Sequence, residues 1–315
     1  MKVLSLFDGI SCGMVALERA NISVESYVAY EIDKYAIEIS KKNYPNIIHK
    51  GDVFSHTIND KADLVIGGSP CTYWSIARRN REVTNSGMGF TLFMKYVEAL
   101  QNSDATYFLY ENNYSISKDI QNEITKYLGV HPIMINSNLV SAQNRKRLYW
   151  TNIPNVGQPK DKSIYLYDIL ENGMAYTDKS HCLTAVYNGA VIWNSLERSQ
   201  RTMVAQPINS IITDDTKVYE VKNNCMDVQV NSLTNGKVNK TLKINLPDGY
   251  YTFRKFTPIE CERLQTLPDN YTCGVSTAQR YKMIGNGWTV DVISHILKNI
   301  IMENQQVISK PKKLF

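Results

Sequence analysis

Short apolar runs alternate with stretches of helical apolar spacing through the first half of the chain. The apolar runs predict strands at residues 2–7, 24–31, 47–50, 62–66, 105–110, 133–139 and 147–151. The stretches between them predict helices at residues 14–20, 33–43, 91–100 and 119–128. Strands and helices in regular succession are typical of an α/β fold. We therefore expect a Rossmann-like, mostly parallel sheet with helices on both faces.

The pattern changes near Pro154. From there to about residue 251 the chain is rich in Asn, Thr, Ser and Val in short alternating runs, which predicts a smaller, mostly β domain. Helical signals return at Thr257, where Thr, Pro and Glu are spaced as a capping box with a first-turn proline. We predict one domain from residues 1–160 and 253–315, and a second domain from residues 161–252.

Composition narrows the class of protein without deciding it. Hydrophobic residues make up 43% of the chain and charged residues 21%, which is ordinary for a folded globular protein. No apolar run is long enough to span a bilayer, and the N-terminal residues predict a strand rather than a signal peptide. The net charge of +5 permits a polyanionic partner. We expect no membrane association and a cytoplasmic location.

The cysteines and histidines do not predict a metal site. Six cysteines include no CxxC pair, and the five histidines are scattered along the chain. A disulfide framework and a zinc site are therefore both disfavoured, and a reducing compartment fits better.

Cys71 is the first candidate for chemistry. It follows an apolar strand and the sequence Gly67-Gly68-Ser69-Pro70, so it lies at the carboxyl end of that strand. Open α/β sheets bind their ligands at this edge, which makes the thiol a candidate nucleophile. A buried, chemically inert cysteine is an equally good interpretation of this segment taken alone.

A turn and several carboxylates predict a nucleoside cofactor. The turn Phe7–Gly13 joins the first strand to a helix, where free backbone N–H groups can face a ligand. It is not the GxGxxG fingerprint of dinucleotide-binding proteins. Glu31 ends the second strand, where a carboxylate commonly accepts ribose hydroxyls, and Asp52 follows the third. The alternative is that Glu31 and Asp33 only cap a helix.

Two further groups follow predicted strands. Glu111 ends an apolar strand beside the one that leads to Cys71, where it could bind the ring-nitrogen and amino edge of a base. Gln143, Arg145 and Arg147 alternate along an extended segment and are expected to share a face. Spaced arginines suit a phosphate or a carbonyl oxygen, although a plain basic edge strand is common.

Six motifs occur in one order along the chain. They are Phe-x-Gly, Pro-Cys-x-x-Trp, Glu-Asn-x, Gln-x-Arg-x-Arg, residues 254–268 (Arg-Lys-Phe-Thr-x-x-Glu-x-x-Arg-Leu-Gln-x-x-Pro) and residues 284–287 (Ile-Gly-Asn-Gly). This series resembles the cytosine-5 DNA methyltransferases, most of all the animal de novo branch or its phage and bacterial relatives. It covers nearly the whole chain except about residues 152–252, where the family holds its variable target-recognition region. Ser11 and Asn113 stand where the family usually has glycine and valine.

The resemblance implies S-adenosylmethionine as cofactor and a cytosine flipped out of double-stranded DNA as substrate. Cys71 would attack C6 of the base, and Glu111 would hold its N3 and amino group. Arg145 would contact the cytosine carbonyl, and Arg147 would support the site. Cofactor contacts are expected from Phe7, Asp8, Gly9, Ile10, Glu31, Ile32, Asp52, Pro70, Asn286 and Trp288. DNA contacts are expected from Arg78, Arg79, Arg81, Gln143, Lys179, Asn188, Arg198 and Arg201.

Other functions stay open at this point. An RNA cytosine methyltransferase could use the same scaffold, although the β-rich insert of about 100 residues favours DNA. A nucleic-acid-binding regulator with an inactive methyltransferase fold is opposed by the joint presence of Cys71, Glu111 and Arg145. A dinucleotide-dependent oxidoreductase is opposed by the missing GxGxxG. The resemblance also leaves open a homodimer, a restriction endonuclease partner and the target sequence.

Overall fold

The computed structural model describes residues 1–75, 80–208, 217–232 and 236–309. Two compact units are present. The first contains Met1–Asn136, Lys146–Lys160 and the chain from Gly287 onward, and the second contains Ser137–Arg145 and Asp161–Asn286. Within the described parts of the chain, no helix is both long enough and apolar enough to cross a membrane.

The first unit is built on a seven-stranded sheet with the order β3-β2-β1-β4-β5-β7-β6. Its strands are β1 (Lys2–Leu6), β2 (Ser26–Tyr30), β3 (Ile48–His49), β4 (Leu64–Gly67), β5 (Tyr107–Asn113), β6 (Ile133–Asn136) and β7 (Lys146–Thr151). Its helices are α1 (Cys12–Arg19), α2 (Lys34–Asn43), α3 (Met88–Asn102), α4 (Lys118–Leu128) and α8 (Val290–Ser309). Only β7 runs antiparallel to its neighbours β5 and β6 in this described sheet. The predicted mostly parallel α/β fold is confirmed.

The strand register aligns the carboxyl ends of the central strands. Leu6 of β1 pairs with Tyr30 of β2 on one side and with Gly67 of β4 on the other. Gly67 in turn pairs with Tyr110 of β5. The residues that follow these pairs therefore emerge along one edge of the sheet, which is where open α/β sheets place their sites.

Apolar side chains of the central strands pack against helix α3 in the first unit. Leu4, Val65 and Tyr110 from the strands pack with Phe93 and Tyr96 of α3, and all are fully buried. Strands that are buried on both faces need nearly continuous apolar runs, and such runs predict β4 and β5 from the sequence. Strand β5 nevertheless continues through Glu111 to Asn113, because its last residues pair with β7.

The second unit carries an antiparallel sheet with the order β11-β10-β9-β12-β8. Its elements are α5 (Leu166–Ile169), β8 (Val204–Pro207), β9 (Tyr219–Lys222), β10 (Cys225–Ser232), β11 (Gly236–Lys243), β12 (Gly249–Arg254), α6 (Pro258–Leu264) and α7 (Thr277–Asn286). The capping box predicted at the start of α6 is confirmed: Thr257 Oγ1 accepts from the Glu260 N–H, and the Glu260 carboxylate accepts from the Thr257 N–H.

The boundary between the two compact units differs from the boundary predicted at residue 252. Residues up to Asn286 belong to the second unit. The reason is a shared apolar core, in which Phe256 and Leu264 pack with Leu183 and Tyr187 from the preceding region. The capping box at Thr257 predicted the start of α6 correctly. It does not indicate which apolar core the helix joins.

Candidate active site

Cys71 opens a short turn directly after β4. It begins a 3₁₀ helix, Cys71–Tyr73, and its carbonyl accepts hydrogen bonds from the N–H groups of Trp74 and Ser75. The side chain is partly exposed, whereas Trp74 is fully buried. The buried Trp74 indole therefore holds the turn in place, and the Cys71 thiol lies at the surface of the first unit.

Glu82 ties this turn to helix α3. Its N–H donates to the Tyr73 carbonyl at 2.8 Å. Its carboxylate accepts from the N–H groups of Met88 and Gly89 at the start of α3, at 3.1 and 2.9 Å. A carboxylate at a helix N-terminus satisfies otherwise unpaired donors, which explains why α3 begins earlier than its apolar spacing predicted.

A buried polar cluster holds the loop before Cys71 against β5. The hydroxyls of Ser69 and Tyr110 lie 2.6 Å apart, and Asn112 Nδ2 donates to the Ser69 carbonyl at 3.2 Å and to Tyr110 Oη at 3.3 Å. All three side chains are buried. Burial raises the pKa of Tyr110, so its hydroxyl stays neutral and available to this network. The cluster fixes the path of the backbone that carries Cys71.

Glu111 faces two donors in the first unit. Arg147 Nε lies 2.9 Å from Glu111 Oε1, and Trp288 Nε1 donates to Glu111 Oε2 at 3.0 Å. The strand register explains the ion pair: Glu111 pairs with Tyr149 and Asn113 with Arg147, so Glu111 and Arg147 are diagonal neighbours on one face. A carboxylate largely removed from water needs such partners.

The turn after β1 closes over the end of β2. Phe7, Gly9 and Ser11 all have positive φ angles near 60°. The Gly9 N–H donates to Glu31 Oε2 at 2.8 Å, while Glu31 Oε1 accepts from the N–H groups of Ile32 and Asp33, each at 2.8 Å. Burial raises the pKa of Glu31, and these backbone donors oppose that rise. A carboxylate with both oxygens oriented by backbone is well placed to accept further hydroxyl donors.

Asp8 has an internal role that its sequence position did not reveal. Its carboxylate accepts from the hydroxyls of Ser5 and Tyr27, each at 2.6 Å, and from Ser11 at 2.5 Å. Burial raises the pKa of Asp8, and the three hydroxyl donors oppose the rise. Asp8 thus holds the turn in shape, and a direct cofactor contact stays a prediction.

The other residues predicted to bind the cofactor differ in exposure. Ile32 is 74% exposed beside Glu31, whereas Ile10 is buried. Asp52 is exposed and accepts from the Phe54 N–H at 3.0 Å, and Pro70 is exposed directly before Cys71. Asn286 is an exposed residue at the end of α7 in the second unit.

Arg145 and Gln143 lie in the second unit, apart in this division from Arg147. Arg145 is 5% exposed, and its guanidinium donates to the carbonyls of Leu183 at 2.8 Å and Gly285 at 3.3 Å. Gln143 is fully buried and donates to the Leu264 carbonyl at 2.6 Å. Both side chains organise the interior of this unit, and their roles in base and DNA contact stay predictions.

The predicted DNA-contact residues fall into three groups. Arg78 and Arg79 lie outside the described residues. Arg81 donates to the Ser115 carbonyl at 2.8 Å, and the Lys179 ammonium donates to the carbonyls of Asn138, Ser141 and Ile164.

The third group lies on the second unit, where Asn188 and Arg198 are exposed and Arg201 is half-buried. The Arg198 guanidinium lies 4.4 Å from the centre of the Trp193 ring, and Trp193 is itself 44% exposed. Asn188 accepts from Lys255 Nζ through its backbone and side-chain oxygens. Arg201 stands beside Gly189, where Nη1 would lie 3.1 Å from an added Cβ. Among the predicted DNA-contact residues that the structure describes, Asn188 and Arg198 are exposed, and their contact with DNA stays a prediction.

No cluster of three or more His, Cys, Asp or Glu side chains suited to a metal ion occurs among the described residues.

A family model described as C-5 cytosine-specific DNA methylase matches residues 1–302. The chain belongs to this family. It is therefore an S-adenosylmethionine-dependent DNA cytosine-5-methyltransferase, as the ordered motifs predicted.

Individual relatives agree with the assignment. The chain is 26% identical over 329 residues to Type II methyltransferase M.FnuDI of Fusobacterium nucleatum, covering 95% of this chain and 94% of the relative. The solved structure of S. pombe Dnmt2 methyltransferase has a TM-score of 0.61 at 16% identity, covering 98% of this chain and 100% of that one. A putative DNA modification methyltransferase of an E. coli prophage has a TM-score of 0.62 at 17% identity, covering 97% and 99%. At such identities the two structures show a shared fold.

The candidate site contains residues that the sequence did not single out. Ser69, Tyr110 and Asn112 form the buried cluster behind Cys71, and Glu82 joins the cysteine turn to α3. A signal for Asn112 did exist, since it stands in the Glu-Asn-x motif, but the motif alone does not say what its amide contacts. Ser69 and Tyr110 carry no such signal.

Proposed function

We propose that Cys71 is the nucleophile of methyl transfer and that it attacks C6 of a cytosine rotated out of duplex DNA. The observation that carries this proposal is the alignment of β4 and β5, whose carboxyl ends bring the Cys71 turn and Glu111 to one edge. The backbones approach closely there: a Cβ on Gly68 would lie 2.8 Å from the Glu111 carbonyl oxygen. Rotation is required because the reacting carbons are inaccessible inside a stacked duplex.

Methyl transfer in this proposal begins with attack by the Cys71 thiolate. As the Cys71 Sγ–C6 bond forms, the C5–C6 π electrons move to C5, which becomes nucleophilic. Glu111 accepts hydrogen bonds from the amino group and from N3 once N3 carries a proton, so that the negative charge brought by the thiolate is neutralised on the ring. S-adenosylmethionine, when bound, supplies the methyl group that C5 accepts, and its sulfur keeps the bonding electrons and leaves as S-adenosylhomocysteine. A base such as water finally takes the C5 proton, the C5–C6 double bond re-forms, and Cys71 leaves as a thiolate.

The cofactor fits the donor set at the end of β1 and β2. Glu31 offers a carboxylate whose orientation is fixed by three backbone N–H groups, which suits the two hydroxyls of a ribose. Ile32 offers an exposed apolar side chain beside it, suited to the face of an adenine. The positive φ angles of Phe7 and Gly9 keep the turn close to the strand ends. We assign these four residues to the cofactor site.

The second unit supplies target recognition in this proposal, chiefly from residues 161–252. The exposed Arg198 and Asn188 offer the donors and acceptors that read base edges and phosphates. Contact of Arg145 with the cytosine carbonyl stays a prediction, because its guanidinium donates to the carbonyls of Leu183 and Gly285 within this unit. Exchanging residues 161–252 with those of another family member should move the methylated sequence, and an unmoved sequence would refute this assignment.

Radiolabel transfer tests the activity first. Purified protein is incubated with tritiated S-adenosylmethionine and unmethylated duplex DNA, with a tRNA sample in parallel. We expect 5-methylcytosine in the DNA, with the label lost in Cys71→Ser and kept in Cys273→Ser, which changes an exposed cysteine of the second unit. Label in tRNA alone would favour RNA as the substrate.

A covalent trap tests the nucleophile directly. Long DNA of varied sequence, prepared with 5-fluorocytosine at every cytosine position, presents the target sequence although that sequence is unknown. A base cannot remove the fluorine at C5 as it would remove a proton. With S-adenosylmethionine present to methylate C5, we expect a denaturation-resistant complex of protein and DNA, joined at Cys71 in peptide mass spectra. Attachment at another cysteine would overturn the assignment of Cys71.

The names of two relatives support a proposal for the cellular setting. We assign this methyltransferase to the cytoplasm of a bacterial or phage-infected cell, with a restriction endonuclease of matching specificity as a candidate partner and a homodimer as a candidate state. The type II name of the Fusobacterium relative and the prophage origin of the E. coli protein support the setting. Bisulfite sequencing of DNA from expressing cells would give the target, which a panel of endonucleases could then challenge.

A further inference from the structure

Trp288 connects two parts of the methyltransferase unit. Its indole Nε1 donates to Glu111 Oε2 at 3.0 Å, across a separation of 177 residues in sequence. Arg147 holds the other oxygen of the same carboxylate at 2.9 Å. One neutral donor and one charged donor therefore engage the two oxygens of Glu111, one each.

The position of Trp288 is itself fixed from the cofactor side of the unit. It lies two residues before the start of α8, whose Asp291 pairs with Arg19 of α1 at 2.7 Å. The opposite end of α1 meets the indole: a Cβ on Gly13 would lie 3.7 Å from Trp288 Cζ3. The ring therefore stands between the helix that follows the cofactor turn and the carboxylate assigned to the base.

We propose that Trp288 is a positioning residue that fixes the orientation of Glu111 for the ring-nitrogen and amino edge of cytosine. The proposal rests on the proposed role of Glu111. An ionised carboxylate offers about four acceptor sites, so two protein donors leave room for the base. The terminal torsion of a glutamate side chain is soft, and a carboxylate held by Arg147 alone could rotate away from the required plane.

Trp288→Phe separates the hydrogen bond from the ring. The phenyl ring keeps an aromatic surface beside Gly13 but has no N–H for Glu111. We expect kcat for methyl transfer to fall about tenfold or more, which corresponds to losing a hydrogen bond to a charged group. The Kd for S-adenosylmethionine should change by less than about twofold, because the phenyl ring keeps the aromatic surface through which residue 288 is expected to contact the cofactor.

Trp150→Phe is the matched control. Trp150 lies in the same unit and its Nε1 also donates at 3.0 Å, but to Thr125 Oγ1, and the side chain is fully buried. This variant loses a comparable indole hydrogen bond away from Glu111. We expect Trp150→Phe to lower the free energy of unfolding and to retain kcat. Trp288→Phe should instead lower kcat and largely retain the free energy of unfolding.

The indole proton gives a readout that does not depend on catalysis. In ¹⁵N-labelled protein, Trp288→Phe identifies the indole resonance of Trp288. Replacing the acceptor with Glu111→Ala should move that resonance upfield and leave the Trp150 resonance in place. An unmoved Trp288 resonance would overturn the inference.

The kinetic outcomes separate this inference from the proposed function. Active wild-type protein with an unchanged kcat in Trp288→Phe overturns the role of Trp288 alone. Wild-type protein that transfers no methyl group to DNA overturns the proposed function, and the role of Trp288 with it. A selective loss of kcat in Trp288→Phe, absent from Trp150→Phe, supports both.

Discussion

Arg147 and Glu111 are diagonal neighbours on the β5–β7 ladder, and their ion pair is closed to most solvent, with 14% and 13% of the side chains exposed. Arg147→Leu should leave the carboxylate without its charged partner. We expect a loss of about 1–3 kcal/mol in the free energy of unfolding. The rate of methyl transfer should fall by at least the factor that corresponds to this free energy, because Glu111 is assigned to the base. Urea unfolding and radiolabel transfer measure the two effects.

The control for this prediction is a pair of similar geometry elsewhere. Lys95 Nζ lies 2.8 Å from Glu98 on α3, with both side chains more exposed. Lys95→Leu should cost less than about 1 kcal/mol and leave transfer unchanged. A double-mutant cycle with Glu111→Gln then isolates the Arg147–Glu111 coupling, and a coupling energy near zero would contradict the prediction.

Asn112→Ala should disturb the Cys71 turn without touching the thiol. The buried amide bonds to Ser69 and Tyr110, and its removal leaves buried polar groups unsatisfied. We expect the free energy of unfolding to drop by about 1–3 kcal/mol. The alkylation rate of Cys71, followed by peptide mass spectrometry, should change because the backbone before it loses its anchor.

Asn152→Ala serves as the comparison for Asn112. Asn152 also bonds to backbone, accepting from the Phe108 N–H at 2.9 Å and donating to the Thr106 carbonyl at 2.8 Å, at the opposite end of β5. Its loss should leave Cys71 alkylation unchanged. Equal alkylation rates in both variants would show that Asn112 does not position the turn.

The core strands and the edge that carries the site were predictable for a physical reason. Strands β4 and β5 are buried on both faces, so their apolar runs are nearly continuous and end where the chain leaves the sheet. In a parallel sheet those ends meet at one edge. The places of Cys71 and Glu111 in one region follow from these two facts and from the pairing of β4 with β5.

Contacts between distant segments were not predictable in the same way. The motif around Trp288 gives no distance to Glu111, because a hydrogen bond across 177 residues depends on how α8 docks. Asp8 and Arg145 show the same limit: polar side chains in a motif can be consumed by internal hydrogen bonds. The packing of residues 253–286 with the second unit depends likewise on tertiary contacts.

Gly13→Ala should damage the cofactor side of the unit. An added Cβ would lie 2.4 Å from Ile66 Cδ1 and 2.8 Å from Tyr27 Oη, and the Tyr27 hydroxyl bonds to Asp8. We expect overpacking to cost about 1–3 kcal/mol in the free energy of unfolding. Affinity for S-adenosylmethionine, measured by calorimetry, should fall with it because the turn must shift.

Gly157→Ala is the control for Gly13. A Cβ at Gly157 would meet nothing within 4 Å, in the same unit. Both its stability and its cofactor affinity should match the wild type. If Gly13→Ala behaves like this control, the close packing at the start of α1 has no role in cofactor binding.

His49 should make stability pH-dependent. Its Nε2 lies 3.1 Å from Ser40 Oγ, which lies 2.6 Å from Ser11 Oγ in the cofactor turn. Burial lowers the pKa of His49 below its usual value of 6.5, and the nearby Lys41 adds to the shift. As pH falls below that value, the unfolded chain binds a proton that the native protein does not. The free energy of unfolding should therefore decrease with falling pH in this range.

Urea unfolding of the wild type and His49→Gln between about pH 5 and 7.5 would measure this contribution as a difference between the two proteins. The difference removes the opposite effect of Glu31 and Asp8, whose raised pKa values make stability decrease as pH rises through them. We expect the wild type to lose more stability on acidification than the variant. His131→Gln, which changes an exposed histidine, should retain the wild-type slope. Parallel slopes for wild type and His49→Gln would show that His49 titrates alike in the folded and unfolded protein.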